Sequence, residues 1–383
     1  MSMEINLIRL YSPLLVTSST LKEDDDYINE LNDTLFDNDY VIKENVMNPL
    51  INVLFIESRG IDKKFKEIEP LLFNPLIILV GKHYTALKAA LEVNSYLTLH
   101  NKEPLILNAR EGHLIQEFAK VMNMKNKLFH SDYGFIGTSN KLIDKLGIDY
   151  FKNKFKINIK KMSKAEFFRQ LEDEEEIPLP KEEQILSLFI DHDEELSTLR
   201  KAYRVLLRFL EENKLKGLAI NIFDINFQAE VISSLLSEKG YSIVVDDDIY
   251  GLISVSILNL LAGSSALYGM IYQIDLEGGK LSLLVNNAPI NMLSASKTLS
   301  KGSVTLYKMS FDHKRMVVTT GKIVESNYVD RNMVKCDIEV DDRELFTLYN
   351  ETVGGTLAFT YGDFVGNILA FNNILRLEEE EDK

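Results

Sequence analysis

Short apolar runs alternate with charged helical segments in the first third of the chain. The apolar runs are INLIRLYSPLL, INVLFIES, PLIILVG and PLILNA, and the segments between them are LKEDDDYINELNDTLF, IDKKFKEIEPLL and TALKAALEVNSYLTLHN. Strands that are apolar along nearly their whole length are typical of a parallel sheet covered by helices on both faces. We therefore predict an amino-terminal α/β domain over residues 1–130.

A second alternation of strands and helices occupies residues 131–265. The segment YGFIG predicts a strand, and Ser139-Asn140 can cap the helix that follows it. After the strand-like FKINIKKM, the acidic run 172–176 is interpreted as a solvated helix end, and a long helix is predicted over about 181–213. The strands GLAINIFDIN and YSIVV then flank a helix, FQAEVISSLLSEKG, that ends at a glycine. These elements predict a middle α/β domain.

An uncharged stretch between Asp248 and Asp275 is long enough to cross a bilayer. Serine, asparagine and glutamine side chains are scattered through it, and Gly263-Ser264-Ser265 interrupts it in the middle. We predict a buried helix of about a dozen residues, then a turn, then a strand.

The periodicity changes to that of antiparallel strands after about residue 266. ALYGMIYQIDLEGGKLSLLVNNA predicts a hairpin around Glu-Gly-Gly-Lys, and SVTLYKMSFDHKRMVVTTGKIVES predicts another. KCDIEVDD and GTLAFTYGD add strands, and DFVGNILAFNNILRLEEEE predicts a terminal helix. The predicted fold class is therefore α/β, with two Rossmann-like parallel-sheet domains followed by a mainly antiparallel β domain over residues 266–383.

The charge balance and the cysteine content limit the classes of partner. The 43 Lys and Arg residues stand against 58 Asp and Glu, for a formal net charge of −15. Such a chain repels phosphate backbones and anionic lipids, so we expect neither a nucleic-acid partner nor a membrane surface. Its one cysteine, Cys336, cannot form an internal disulfide, and no secretory signal is visible. We expect a cytoplasmic protein.

Carboxylates at strand ends are the most suggestive chemical feature. The motifs G-x-x-x-x-G-K-[ST], G-x-G-x-x-G, G-x-S-x-G and H-E-x-x-H do not occur as functional signatures. Glu230 follows one strand of the middle domain, and Asp246, Asp247 and Asp248 follow the next. In a parallel sheet both groups lie at the carboxyl edge, where ligands bind, and Mg²⁺ or Mn²⁺ would offset the repulsion between the acids. The simpler alternative is that Asp248 caps a helix and the other two face water.

Residues 217–263 resemble the family of L-fucose and L-arabinose isomerases. The similarity is carried by FQAEVISSLLSEKG and VVDDDIYGLISVSILNLLAG, and it continues through LSLLVNNAP, GSVTLYKMSFDHKRMVVTTGKIVES and GGTLAFTYGDFVGNILAF. LKAALEVNSYLTLHNKEPLIL and YGFIGTSNKLIDKLG resemble the amino-terminal parts more weakly. The resemblance implies two α/β domains before a β-rich domain, a small sugar as ligand, and a homo-oligomer, trimer or hexamer, with active sites near subunit interfaces.

The same resemblance implies aldose–ketose isomerisation through an ene-diolate. A glutamate, an aspartate and a histidine hold Mn²⁺ in this family, with Mg²⁺ as a possible substitute, and the carboxylates also move protons. The two carboxylates match Glu230 and Asp248, which are thus the expected catalytic residues and metal ligands. The histidine falls at Thr356, which is a poor Mn²⁺ ligand.

Other departures from the family leave the function open. The family's His-Cys pair falls at Asn286-Asn287, and a cysteine falls at Phe227. A third ligand could come from His83 of a neighbouring subunit, or from Asp247 or Asn287. The expected substrate-binding residues are Gln228, Asp247, Asn286, Asn287 and Thr356. The alternatives are a metal-assisted isomerase, a catalytically degenerate sugar-binding or regulatory relative, and a lyase or epimerase that acts through a similar enediolate.

Overall fold

In a computed structural model, the chain divides into two units. One unit comprises Met1–Lys125 with Asn367–Lys383, and the other comprises Asn126–Gly366. The middle and β-rich segments, which were predicted as separate domains, thus share one unit. The structure describes residues 3–36, 40–44, 46, 49–72, 76–100, 102, 104–108, 111–112, 114–137, 142–177, 193–221, 229–294, 296–309, 317–330, 333–351 and 355–372.

The first unit is built on a parallel sheet. Its strands, within the described residues, lie in the order β2-β1-β3-β4-β5. They are β1 (Met3–Leu10), β2 (Tyr40–Lys43), β3 (Ile51–Ile56), β4 (Leu76–Val80) and β5 (Leu105–Asn108). The helices are α1 (Ser18–Phe36), α2 (Asp62–Ile68), α3 (Ala86–Leu99) and α4 (Leu114–Leu128), the last three residues of which belong to the other unit. Every residue of β3 and β4 is buried, as the predicted sheet between two helical layers requires.

A second parallel sheet begins the other unit, and its described strands lie in the order β7-β6-β8-β9. They are β6 (Asp132–Ile136), β7 (Asn158–Met162), β8 (Gly217–Ile220) and β9 (Ser242–Val244). The helices are α5 (Leu142–Phe155), α6 (Lys164–Asp173), α7 (Asp193–Glu212) and α8 (Ala229–Glu238). Because β8 and β9 are parallel neighbours, the segments that follow them leave the sheet at the same edge.

The uncharged stretch forms the predicted helix, turn and strand. Helix α9 spans Ile249–Ala262, Gly263 ends it in the left-handed conformation with φ of 63°, and β10 begins at Leu267. The apolar length is therefore divided between two elements. Over the described ranges of the chain, no helix is both long and apolar enough to cross a membrane.

The last strands close into an antiparallel barrel. Among the described residues its order is β10-β11-β14-β13-β12-β15. The strands are β10 (Leu267–Asp275), β11 (Lys280–Val285), β12 (Gly302–Lys308), β13 (Val317–Asp330), β14 (Met333–Val340) and β15 (Thr356–Tyr361). Both predicted hairpins are confirmed as antiparallel pairs, although the tip of the second, residues 310–316, lies outside the described residues. Helix α9 packs against β12 and β15.

Two helices complete the description of the carboxyl-terminal third. Helix α10 (Asp342–Glu351), which was not predicted, lies between β14 and β15. Residues 365–372 are helical, in agreement with the start of the predicted terminal helix, and the rest of that prediction lies outside the described residues.

The acidic run after α6 differs from its prediction at one position. Glu172, Glu175 and Glu176 are exposed, but Glu174 is only 6% exposed. Its carboxylate accepts hydrogen bonds from Arg204 at 2.9 Å and from Arg208 at 2.7 Å, both on α7. The interpretation as a solvated helix end is therefore wrong for Glu174, because two arginines one helical turn apart pair with it.

Candidate functional site

Asp248 connects the parallel sheet to the barrel. It is the N-cap residue of α9, and its Oδ1 accepts a hydrogen bond from the Gly251 amide at 2.9 Å. Its Oδ2 accepts hydrogen bonds from the Tyr268 hydroxyl at 3.1 Å and from Thr356 Oγ1 at 2.5 Å. The N-cap interpretation is confirmed, and the same carboxylate also binds side chains near the start of two barrel strands, β10 and β15.

A glycine in the first turn of α9 allows this close approach. A Cβ atom on Gly251 would lie 2.4 Å from Tyr268 Cε2 and 2.8 Å from Asp248 Oδ2. Such separations are far below van der Waals contact, so only glycine permits the tyrosine ring to pack against the helix backbone here. The spacing of an N-cap aspartate and a glycine three residues later is the sequence signal that could have indicated this contact.

Tyr268 brings two of the three consecutive aspartates together. Its buried hydroxyl lies 3.2 Å from Asp246 Oδ2 and 3.1 Å from Asp248 Oδ2. Burial, together with the nearby charges of Asp248 and Asp246, raises the pKa of Tyr268 well above its ordinary value. The phenol therefore remains a proton donor to these carboxylates at neutral pH.

A buried lysine completes the group of polar side chains. Lys308, the last residue of β12, is 3% exposed. Its ammonium donates a hydrogen bond to the backbone carbonyl of Thr356 at 2.5 Å and lies 3.5 Å from Thr356 Oγ1. The Thr356 hydroxyl thus stands between the Lys308 ammonium and the Asp248 carboxylate. Lys308 was not singled out from the sequence, although a lysine that ends the apolar run VTLY is an unusual feature.

The two asparagines after β11 have different roles. Asn287 is fully buried, and its amide donates to the Ile243 carbonyl at 3.0 Å and accepts from the Tyr268 amide at 2.7 Å. Asn286 donates to the Val245 carbonyl at 3.1 Å, but its Oδ1 is buried without a hydrogen-bond partner among the residues that the structure describes. Asn287 therefore joins β9 to the barrel, whereas Asn286 retains an unsatisfied acceptor.

Glu230 lies in the first turn of α8 and is half-buried. Its backbone carbonyl accepts hydrogen bonds from the hydroxyls of Ser233 at 2.7 Å and Ser234 at 3.1 Å. The Ser233 hydroxyl also contacts the Asn286 carbonyl at 3.1 Å. The start of α8 is thus held beside the asparagine segment, at the same edge of the sheet as Asp248. Phe227 and Gln228 lie outside the described residues.

The remaining predicted residues are located as follows. Asp247 is only 6% exposed, so the expectation that it faces water is wrong, while Asp246 is half-buried. His83 belongs to the other unit, where its Nδ1 lies 2.8 Å from Thr85 Oγ1 and its ring packs against Tyr84. A role for His83 as a ligand in a neighbouring subunit stays a prediction.

The donor set fits Mn²⁺ or Mg²⁺ poorly. A carboxylate offers about four acceptor positions, and protein donors occupy three of them on Asp248. Thr356 supplies only a hydroxyl, which is a poor ligand for these cations, and the buried Lys308 ammonium would repel a divalent cation. Within the part of the chain that the structure describes, no three His, Cys, Asp or Glu side chains form a group that could hold a metal ion.

Comparisons with models of protein families and with curated proteins find no match for this chain.

Proposed function

We propose that this chain is a sugar-binding relative of the L-fucose and L-arabinose isomerases that does not carry out metal-assisted turnover. The observation that carries the proposal is the state of the Asp248 carboxylate, which accepts hydrogen bonds from Gly251, Tyr268 and Thr356. A carboxylate held by three protein donors stabilises the junction of helix and barrel. It has little capacity left to hold a metal or to exchange a proton with a substrate.

A neutral polyhydroxylated ligand suits the groups that remain. The buried Oδ1 of Asn286 receives no hydrogen bond from the described part of the chain, and leaving such an acceptor unsatisfied costs about 1–3 kcal/mol. A sugar hydroxyl that displaces the side chains covering this atom would donate to it, and Glu230 lies at the start of α8, which Ser233 holds beside Asn286. The edge of the sheet carries Glu230 and three aspartates against the buried Lys308, so a phosphorylated sugar would be repelled.

The arrangement of the elements agrees with the layout that the resemblance implies. Two parallel sheets with helices precede an antiparallel barrel along the chain. We interpret the two sheets as the Rossmann-like domains of a sugar isomerase and the barrel as its β-rich domain. On this interpretation the protein is a cytoplasmic homo-oligomer, trimer or hexamer.

The second candidate is an aldose–ketose isomerase. It is favoured by the parallel pairing of β8 and β9, because Glu230 and Asp248 then follow neighbouring strands at one edge. Carboxylates on either side of an ene-diol would move the proton between adjacent carbons. This candidate needs Mn²⁺, or Mg²⁺ in its place, and a further ligand such as His83 from a neighbouring subunit.

Calorimetric titration of the full chain tests the binding proposal. The probes are L-arabinose, L-fucose and arabinose 5-phosphate. We expect one of the neutral sugars to bind at least about tenfold more tightly than the phosphate. Asn286→Ala should weaken that binding, whereas Asn327→Ala, an exposed site on β13, should not. Absence of binding by both neutral sugars, or tighter binding of the phosphate, would contradict the proposal.

A further inference from the structure

We infer that the Lys308 ammonium occupies the electrostatic role that a divalent cation has in sugar isomerases. The charge that neutralises the acidic edge is then part of the protein itself. This inference deepens the proposed function and rests on it, because it explains how a metal-dependent site becomes a metal-independent one.

A short chain of polar contacts leads from Lys308 through Thr356 to Asp248. The Lys308 ammonium lies 3.5 Å from Thr356 Oγ1, and that hydroxyl donates to Asp248 Oδ2 at 2.5 Å. Thr356 stands where the resemblance places the histidine ligand. The lysine and the threonine thus occupy together the space in which a cation and its third ligand would have to fit.

The charge of the surroundings also supports the inference. Asp247 is buried, and Asp246 and Asp248 are half-buried, so three consecutive carboxylates are partly removed from water. On Asp248 itself, the hydrogen-bond donors Gly251, Tyr268 and Thr356 are all neutral groups and do not offset the charge of its carboxylate. Burial of like charges is strongly unfavourable without a cation. Lysine is almost never fully buried without a partner, and Lys308 is buried beside this cluster.

A purely structural role for Lys308 is the competing explanation. In that case its bond to the Thr356 carbonyl would only hold the end of β12 against the start of β15. The two explanations differ in what the removal of the charge does. A structural tie has no effect on metal affinity, whereas removal of a substitute cation makes room for a real one.

Mn²⁺ titration of purified full-length variants distinguishes the two. We compare the wild type with Lys308→Met, Thr356→His and the double variant, using the electron paramagnetic resonance signal of free Mn²⁺. The double variant should bind Mn²⁺ at least about tenfold more tightly than Thr356→His alone. Lys335→Met in the Thr356→His background is the matched control, since Lys335 is a partly exposed strand lysine on β14. Equal affinity with and without Lys308, or tight binding by the wild type, overturns the inference.

A double-mutant cycle covers the case in which the histidine variants do not fold. Unfolding constants are measured for the wild type, Lys308→Met, Asp248→Asn and the pair. We expect the two substitutions to be coupled by at least about tenfold in the unfolding equilibrium constant. If the two substitutions change the unfolding constant independently, Lys308 does not stabilise the Asp248 carboxylate. If no sugar binds but the Mn²⁺ titration and the double-mutant cycle give the expected results, the proposed function is rejected and the electrostatic role of Lys308 is retained.

Discussion

At the scale of single residues, the site depends on the close packing of Tyr268 and Asp248 against Gly251, where no further side-chain atom fits. Gly251 is in a helix, where glycine is less favourable than alanine by about 1 kcal/mol. The ring of Tyr268 and the carboxylate of Asp248 fill the volume that a methyl group would need. The helix therefore contains an unfavourable residue at the one position where it permits the hydroxyl–carboxylate contacts.

Replacement of this glycine gives the first prediction. Gly251→Ala should lower the free energy of unfolding by about 1–3 kcal/mol, because overpacking displaces Tyr268 and Asp248. Urea denaturation followed by circular dichroism measures the change. Gly366→Ala is the control: it lies in a helical segment with open space around its Cβ position, and it should be neutral or slightly stabilising. Equal effects of the two substitutions would contradict the packing described for Gly251.

A buried ion pair in the first unit gives a pH prediction. Glu57 is fully buried, and the Arg9 guanidinium donates to both of its oxygens, at 3.2 and 2.5 Å. Burial raises the pKa of Glu57 above its ordinary 4.5 even though Arg9 opposes this shift. Removal of Arg9 should therefore raise the pKa further.

The expected stability follows from the sign of that shift. In Arg9→Met the folded state binds the Glu57 proton more tightly than the unfolded state does, so stability falls as pH rises from about 4.5 through the raised pKa. Urea unfolding of Arg9→Met and of the wild type is measured at about pH 5 and about pH 8. The free energy of unfolding should fall more between these two pH values in the variant than in the wild type. An equal pH dependence in both proteins would mean that Arg9 does not control this carboxyl.

At the scale of elements, α6 and α7 are joined by Glu174. Glu174→Gln should lower the free energy of unfolding by about 1–2 kcal/mol, because Arg204 and Arg208 lose a charged acceptor. The exposed neighbour provides the control, and Glu175→Gln should change stability by no more than about 0.5 kcal/mol. Thermal or urea unfolding measures both variants, and a loss no larger for Glu174→Gln than for Glu175→Gln would refute the contribution of this ion pair.

The local pattern was sufficient for elements whose burial is uniform along their length. Strands β3 and β4 are buried on both faces, so their apolar runs indicated the sheet directly. Strand β2 was missed because it has only four residues and two of them are half-buried. Such a short segment has no clear apolar pattern that would indicate its pairing with β1. Helix α10 was missed because its short amphipathic segment lies among strands.

Only the residues of the candidate site that follow strands of the parallel sheet were predictable from the sequence. The rule for carboxyl edges of parallel strands indicated Glu230 and Asp248 as residues of one edge. Tyr268 and Thr356 contact Asp248, and Lys308 contacts Thr356, because β15 lies between β10 and β12 in the closed barrel. That order depends on long-range pairing, which the spacing of residues along the chain does not contain.

At the scale of the whole molecule, the second unit joins a parallel sheet and a barrel through polar contacts. Asn287 binds a carbonyl of β9 and an amide of β10, and Asp248 caps α9 while it binds two barrel strands. Two residues that the sequence predicts as site residues thus connect the sheet to the barrel. The absence of turnover that we propose is consistent with these bonds, because a carboxylate bound by protein donors has little capacity left for a metal or a substrate.

Hydrogen exchange into sugars tests the central claim most directly. The full chain is incubated in D₂O with excess Mn²⁺ and either L-fucose or L-arabinose, and proton NMR follows deuterium at C1 and C2 of each sugar. We predict that the sugar which binds in calorimetry gains no deuterium above the protein-free rate. Deuterium incorporation that disappears in both Glu230→Gln and Asp248→Asn would contradict this account and establish a working isomerase.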